Sequence, residues 1–180
     1  TETFTVATSD GGSATVTVNI IGTQDVATLT SETKTLTEGD AVLTTSGTLV
    51  VTDADATDAT VVAQTNTAGT YGKFSIDANG AWSYTTNDAV NQLNAGQVVT
   101  EVFTVATSDG GTASVTVNIT GSEDVSTLTS ATANLSETNA VLSTGGTLSL
   151  TDLDATAATV VAQTGTAGSY GSFSINSAGV

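Results

Sequence analysis

Carboxylate side chains are the residues of this chain with the most potential for chemistry. The 180 residues include 18 Asp and Glu but only two Lys, no Arg, no His and no Cys, and the net charge is −16. Without His or Cys, the chain lacks the residues of Ser-His and Cys-His nucleophilic sites, of ordinary zinc sites and of disulfides. Paired carboxylates could still bind a hard cation or hydrolyse a glycoside. The function therefore depends on which of these acids the fold brings close together.

The strong negative charge argues against two kinds of partner. A chain with no Arg cannot neutralise phosphates and should be repelled by nucleic acid and by anionic membrane surfaces. No run approaches the roughly 18 consecutive apolar residues of a membrane-spanning helix, and no basic, apolar signal peptide begins at Thr1. We expect no nucleic-acid partner and no membrane insertion.

The chain repeats itself after 99 residues. TETFTVATSDGG at residues 1–12 returns as TEVFTVATSDGG at residues 100–111, and 55 of the 81 positions aligned by this offset are identical. This period fits one β-sandwich domain of about 100 residues and exceeds the roughly 20 to 50 residues of solenoid repeats. The sequence predicts the C-terminal part of one repeat at residues 1–25, a complete repeat at 26–124 and the N-terminal part of the next at 125–180.

Short strands with a period of two fill each repeat. Thr, a β-branched residue that favours strands, is the commonest residue, with 40 of 180 positions. Apolar residues alternate on both sides of the SDGG turn at 108–111 and of the Asn79-Gly80 turn, which predicts two hairpins. The core should be anchored by Phe74, Ile76, Trp82 and Tyr84, while Phe103 and Val105, and Val115, Val117 and Ile119, each share one face of a strand.

A single short helix is expected, over residues 88–94, with Asp88 as its N-cap and Gly96 as its stop. About seven strands without a parallel βαβ pattern predict an all-β fold of tandem antiparallel β-sandwich repeats.

The order of motifs in the complete repeat resembles the VCBS repeat of giant bacterial surface adhesins. The motifs are GTYG at 69–72, the Asp-x-x-Gly-x-Trp-x-Tyr hairpin at 77–84, Leu-x-x-Gly at 93–96 and the Asp-Gly loop at 109–110. The resemblance covers the whole chain. It implies cadherin-like or immunoglobulin-like domains in long extracellular stalks on a bacterial surface, often exported by type I secretion. The junctions depart from the family, because GTQDVA and GSEDVS lack the Pro of the common Gly-Thr-x-Asp-x-Pro linker.

Alternating strand directions sort the acids by the two ends of the sandwich. With the first strand running down and each later strand reversing, the loops fall alternately at the lower and upper end. The upper end of the complete repeat should collect Asp25, Asp53, Asp55 and Asp109. The lower end should collect Glu38, Glu101 and Asp124, facing Asp152 and Asp154 of the next repeat. Four other acids become Ala or Asn in the third repeat and are interpreted as solubilising surface: Glu32, Asp40, Asp58 and Asp77.

Gathered carboxylates need either a cation or wide separation. Two carboxylates about 4 Å apart repel by roughly 4 kcal/mol at an effective dielectric near 20. Ca²⁺ accepts six to eight oxygens in flexible geometry, whereas Mg²⁺ demands a tighter octahedron. Acids at loop ends are also ordinary turn residues and solvated surface, so spacing alone leaves both interpretations open. The resemblance to cadherin-like joints favours Ca²⁺ at the junctions between repeats.

These features predict a structural module and no enzyme. The expected function is a spacer or stalk of a bacterial cell-surface adhesin, stiffened by calcium between neighbouring repeats and serving cell adhesion or biofilm formation. A second class is a self-assembling filament or surface-layer subunit in which identical chains share strands. A third is a carbohydrate-binding module, for which only Tyr71 and Tyr170 could offer an exposed aromatic platform. Catalysis by paired carboxylates ranks last because nothing predicts the cleft it needs.

Overall fold

The computed structural model describes residues 1–39, 41–55, 59–154 and 156–180. These residues form fifteen short β-strands and one 3-10 helix, which confirms the all-β fold. The strands are β1 Glu2–Ala7, β2 Ser13–Val18, β3 Thr28–Leu29, β4 Glu32–Thr37, β5 Thr44–Thr48, β6 Val51–Thr52, β7 Gln64–Ala68, β8 Gly72–Ile76, β9 Ala81–Thr86, β10 Val98–Ala106, β11 Thr112–Thr120, β12 Thr127–Leu128, β13 Leu150–Thr151, β14 Gln163–Ala167 and β15 Ser172–Ile175. The helix spans Asp88–Gln92.

Two sheets form the sandwich of the complete repeat. One sheet has the order β5-β9-β8-β7 and is antiparallel throughout. The other has the order β10-β11-β4, in which β11 pairs antiparallel with β10 and parallel with β4. The parallel pair is the exception to the predicted antiparallel pairing, and it arises because β4 and the last strand both run toward the lower end. A single bridge between Val61 and Thr107 adds a short segment beyond β10.

Aromatic rings fill the space between the two sheets. Phe74 stacks on Phe103 with 4.7 Å between ring centroids, and Trp82 and Tyr84 lie at tilted angles beside them. The four residues expected to anchor the core are buried, and the structure adds the inward residues of β10 and β11 together with Leu49, Val61, Val90 and Leu93. Burial of each large apolar side chain stabilises the fold by about 1.5 to 3 kcal/mol. The core therefore holds the loops at both ends of the sandwich on a packed frame.

The turn predicted at Asn79-Gly80 is confirmed, whereas the predicted N-cap of the helix is wrong by one residue. Gly80 has φ +83° in the turn between β8 and β9, as the Asn-Gly pair predicts. The helix N-cap is Asn87, whose side chain accepts a hydrogen bond from the amide of Ala89, so the choice of Asp88 was wrong by one residue. Asp88 instead lies in the first turn. In the described part of the chain, no helix has the length and apolar character needed to cross a membrane.

The flanking segments form the same local strands but bury little. The register of β1 with β2 matches that of β10 with β11, yet Phe4 is 52% exposed where its counterpart Phe103 is 7% exposed. The pairing of β14 with β15 repeats that of β7 with β8, including the same register shift. Local sequence therefore determines the hairpins, whereas burial requires both sheets of one repeat.

Candidate functional site

The loops that follow β6 and β13 share one hydrogen-bond pattern. The Asp53 carboxylate accepts from the amides of Asp55, at 3.1 Å, and Ala59, at 2.8 Å. Asp152 accepts from the equivalent pair of amides 99 residues later. The first acid of each Asp-x-Asp pair therefore folds its own loop, which leaves the second acid to reach the preceding linker.

The second acid of each loop bonds to a linker aspartate. The amide of Asp25 donates to Asp55 Oδ2 at 2.7 Å, and the amide of Asp124 donates to Asp154 Oδ2 at 3.1 Å. Hydrogen bonds to a carboxylate are stronger than those between neutral groups. The structure thus brings each linker next to the loop predicted to face it. The upper linker acid Asp25 is exposed, whereas Asp124 is buried.

Asp109 attaches the last hairpin of the repeat to the upper linker. Its carboxylate accepts from the Thr107 hydroxyl and from the amide of Ala27, both at 2.5 Å. The Thr107 hydrogen bond, followed by the Ala27 amide, holds the pKa of Asp109 below its ordinary value of 3.8. Asp109 therefore lies at the upper end, as expected, with both oxygens engaged.

Glu38 binds the lower linker from the side of the sandwich. Its side chain is buried, with 4% of the residue exposed, and Oε2 accepts from the amide and the hydroxyl of Ser122, each at 3.0 Å. Asp124 follows two residues later and bonds to the next repeat. The linker is consequently held on one side by Glu38 and on the other by Asp154.

Buried carboxylate oxygens at this lower junction include some that accept no hydrogen bond from the described residues. Among them are Glu38 Oε1 and Asp154 Oδ1, the latter on a residue that is 7% exposed. A buried charged oxygen that lacks a donor is costly, and a cation would compensate it. Within the described ranges, however, no three or more His, Cys, Asp or Glu side chains lie together as a metal-binding group. The acids contact the linker one by one and do not form a finished coordination shell.

Glu101 does not join the acids of the lower end. It pairs with Val117, three residues before the end of β11 at Thr120, which corresponds to about 10 Å along the strand. Its carboxylate accepts from the buried Tyr84 hydroxyl and, at 3.0 Å, from the amide of Tyr71. The prediction placed Glu101 wrongly because this residue shares the inward face of β10 with Phe103.

Burial and the neighbouring carboxylate act together on Tyr84. Burial, and then the hydrogen bond and negative charge of Glu101, raise the pKa of the Tyr84 hydroxyl far above its usual range. The hydroxyl therefore remains a donor at any ordinary pH. The pair supplies a polar contact inside the sandwich and has no part in the junction.

Glu32 was interpreted as solubilising surface, and the structure gives it a further role. Its carboxylate accepts from the Trp82 indole N–H at 2.8 Å and pairs with Lys34 at 2.7 Å. The Lys34 hydrogen bond chiefly lowers the pKa of Glu32. A buried indole needs such an acceptor, so Glu32 contributes to the core of its repeat.

Asp77 is a turn residue whose charge is dispensable. Its Oδ1 accepts from the amides of Asn79, at 2.8 Å, and Ala81, at 3.0 Å. Asn176 makes the same two contacts in the third repeat, which explains why the acid is absent there. The two other acids interpreted as surface, Asp40 and Asp58, lie outside the described residues.

The expected aromatic platform is reduced to one residue. Tyr71 packs against the core, and its amide is engaged by Glu101. Tyr170 is fully exposed. A single ring without an aromatic neighbour gives little support to a carbohydrate-binding surface.

Sequence reasoning missed one residue of the lower junction, Asn94. Its Oδ1 accepts from the amide of Thr156 in the next repeat at 2.8 Å. Beside this contact lies a cleft of about 570 Å³, lined by Asp88, Asn91 and Gln92 of the helix and by residues 152–154. Asn94 lies inside the Leu-x-x-Gly motif, which was interpreted as a helix stop and as one of the motifs that resemble the VCBS repeat.

A family model for the bacterial cadherin-like domain matches residues 24–121, more than half of the chain. The chain therefore belongs to the bacterial cadherin-like domain family. Domains of this family are typically extracellular, are of the adhesion or repeat type and are in general non-catalytic. A comparison with curated proteins found no match.

Proposed function

We propose that this chain is a stalk segment of a bacterial surface adhesin, built from VCBS-type repeats that calcium holds in line. One observation carries the proposal: the linker at residues 121–124 contacts two buried carboxylates, Glu38 and Asp154, each with an oxygen that accepts no hydrogen bond from the described residues. Such oxygens are ligands of the kind that Ca²⁺ prefers. The family supports the adhesion role.

The lower junction offers the ligand types a calcium ion needs. Glu38 and Asp154 supply the two oxygens without donors, and Asp124 and Asp152 lie on the same linker and loop. A bound Ca²⁺ would supply positive charge that compensates the buried carboxylates of Glu38 and Asp154. The upper junction repeats the linker and loop acids with Asp25, Asp53 and Asp55, while the position 99 residues before Glu38 falls outside the sequence.

Shape and charge suit a stalk. The longest strands have nine residues, about 30 Å, so a repeat with its loops is on the order of 40 Å long. The net charge of −16 keeps neighbouring molecules apart, and the Thr side chains on the outer faces of the strands limit apolar patches. Reach would then grow with the number of repeats.

Calcium titration of matched variants tests the proposal. Glu38→Gln and Asp154→Asn should each weaken calcium binding at least tenfold in isothermal titration calorimetry, because each removes a charged ligand of the junction. Asp77→Asn is the control, since it removes one negative charge but keeps a turn that Asn176 already forms. Wild-type protein that binds no calcium, or equal weakening in all three variants, would refute a calcium site at the junction.

A strand-sharing filament is the second candidate, and one observation favours it. The inner face of hairpin β1–β2 is exposed at Phe4, Val6, Val16 and Val18, whose counterparts in β10–β11 are core residues. The two sheets of residues 125–180, β12–β13 and β14–β15, likewise have no hairpin packed over them among the described residues. A second copy could supply it. Sedimentation velocity at rising concentration distinguishes the two functions, because a filament grows with concentration and a stalk segment remains a monomer.

A further inference from the structure

The junction between the complete repeat and the next contains protein contacts that need no metal. Thr156 of the next repeat donates its amide to Asn94 Oδ1 at 2.8 Å. This is a side-chain contact from the body of one repeat to the backbone of the other, and it lies apart from the linker itself. It therefore constrains the angle between repeats more directly than a contact along the linker does.

The Asn94 side chain is held in place by its own repeat. Gln97 Oε1 accepts from the backbone amide of Asn94 at 3.2 Å and from its Nδ2 at 3.4 Å, and the amide of Gln97 donates to the Asn94 carbonyl at 2.9 Å. With Nδ2 directed at Gln97, Oδ1 points outward as an acceptor. Asn94 is half-buried and Thr156 is exposed, so the contact lies at the surface of the junction and its strength rests on the fixed direction of Oδ1.

The same short segment also fixes the beginning of the linker. The amide of Gly121 donates to the Gln97 carbonyl at 2.8 Å, and the amide of Gly96 donates to the Gly121 carbonyl at 2.9 Å. The loop that carries Asn94 and the linker that carries the next repeat are thus joined by two backbone hydrogen bonds. A rotation of the next repeat about the linker would have to break the Asn94 contact.

We propose that Asn94 is a positioning residue that sets the angle between repeats through Thr156, with or without bound cation. The inference deepens the proposed stalk function, because a preset angle lowers the entropy that calcium must overcome to straighten the junction. We call the hydrogen bond between the Thr156 amide and Asn94 Oδ1 the latch. It would stiffen the junction in place of the Pro that the linkers lack. No acid of the junction takes part in the hydrogen bond between Thr156 and Asn94, although Asp152 folds the loop that carries Thr156.

Double electron–electron resonance on the full chain tests the latch. The absence of natural Cys allows spin labels at Thr65→Cys and Thr164→Cys, exposed positions in the equivalent strands β7 and β14 of the two repeats. In chelator, Asn94→Ala should lower the ratio of docked to undocked junctions about fivefold, as loss of one hydrogen bond of about 1 kcal/mol predicts. Asn91→Ala, which lines the same cleft, should leave the distance distribution unchanged.

A second readout separates loosening of the junction from unfolding of a repeat. Amide exchange measured by NMR should accelerate about fivefold at Thr156 in Asn94→Ala, while the amides of the core strands keep their protection. Equal distance distributions and equal Thr156 exchange for wild type and Asn94→Ala in chelator would overturn the latch. The stalk proposal fails separately, if calcium does not narrow the wild-type distance distribution.

Discussion

At the scale of single residues, the acids of this chain serve different purposes despite similar positions in the repeat. Asp53 and Asp77 fold their own loops through backbone amides. Glu101 and Glu32 accept from Tyr84 and Trp82 of the core. Glu38 and Asp154 each keep a buried oxygen that accepts no hydrogen bond from the described residues. The capacity for cation binding therefore resides in few of the 18 acids.

Removal of the Tyr84 hydroxyl should destabilise the repeat. Tyr84→Phe leaves a buried Glu101 oxygen without its donor, so the free energy of unfolding should fall by about 1 to 3 kcal/mol. Urea denaturation gives the value. Tyr71→Phe is the control, because the Tyr71 hydroxyl makes no hydrogen bond to the described residues and its backbone contact with Glu101 persists. Equal stability of the two variants would contradict a role for the Tyr84–Glu101 bond.

At the scale of elements, acids on the loops and turns of the sandwich accept hydrogen bonds from backbone amides of the short linkers. The turn between β10 and β11 presents Asp109 to Ala27, and the loop after β6 presents Asp55 to Asp25. Both contacts use backbone amides of the upper linker, so these hydrogen bonds hold the linker without the help of a cation. Hairpin β1–β2 forms the same turn, in which Asp10 accepts from Thr8.

Acid should release the upper linker from the last hairpin. The pKa of Asp109 is lowered in the folded state, so its stabilisation is complete above the ordinary value of 3.8 and is lost as pH falls through the lower folded pKa. The Ala27 amide resonance should titrate in that range in NMR spectra, and its exchange should accelerate. In Asp109→Asn this pH dependence should vanish. An Ala27 amide that does not respond to acid in the wild type would refute the contact.

At the scale of the whole molecule, the two junctions share the same linker and loop acids but differ in how deeply these acids are buried. Asp124 and Asp154 are buried at the lower junction, whereas Asp25 is exposed at the upper one. The difference follows from what surrounds them, because only the lower linker runs beside Glu38 and the loop of Asn94. Burial at a junction thus depends on a full sandwich on its N-terminal side.

A methyl group added to the lower linker at Gly121 should disturb the packing of the linker against Leu93 and Asn94. The Cβ of Gly121→Ala would clash with the Asn94 carbonyl and lie 2.7 Å from Leu93 Cβ, so the variant should lose about 1 to 3 kcal/mol of stability. Gly22→Ala, at the same position one repeat earlier, meets no atom within 4 Å and should be nearly neutral. Thermal unfolding followed by circular dichroism measures both. Equal melting temperatures of Gly121→Ala and Gly22→Ala would show that the linker does not pack against Leu93 and Asn94, the residues that follow the helix.

Much of the fold followed from the sequence because its signals are local. The period of two in β10 and β11 placed Phe103 with Val105, and Val115 with Val117, on one face of their strands, and the Asn79-Gly80 pair identified a hairpin turn. The repeat itself is visible by comparing the chain with itself. The sequence also grouped Asp25 with Asp55 and Asp124 with Asp154, since strand direction alone sorts loops to the two ends.

The tertiary structure decided what local signals could not. Glu101 shares the face of Phe103, so its inward direction was readable from alternation, but its partner Tyr84 lies on the opposite sheet. The contact between Asn94 and Thr156 joins residues 62 positions apart in different repeats, and no periodicity encodes it. The sequence alone determines which residues point in and where strands turn, because those depend on neighbours along the chain. Which polar groups meet across a junction depends on how whole sandwiches stack, and only the folded chain settles that.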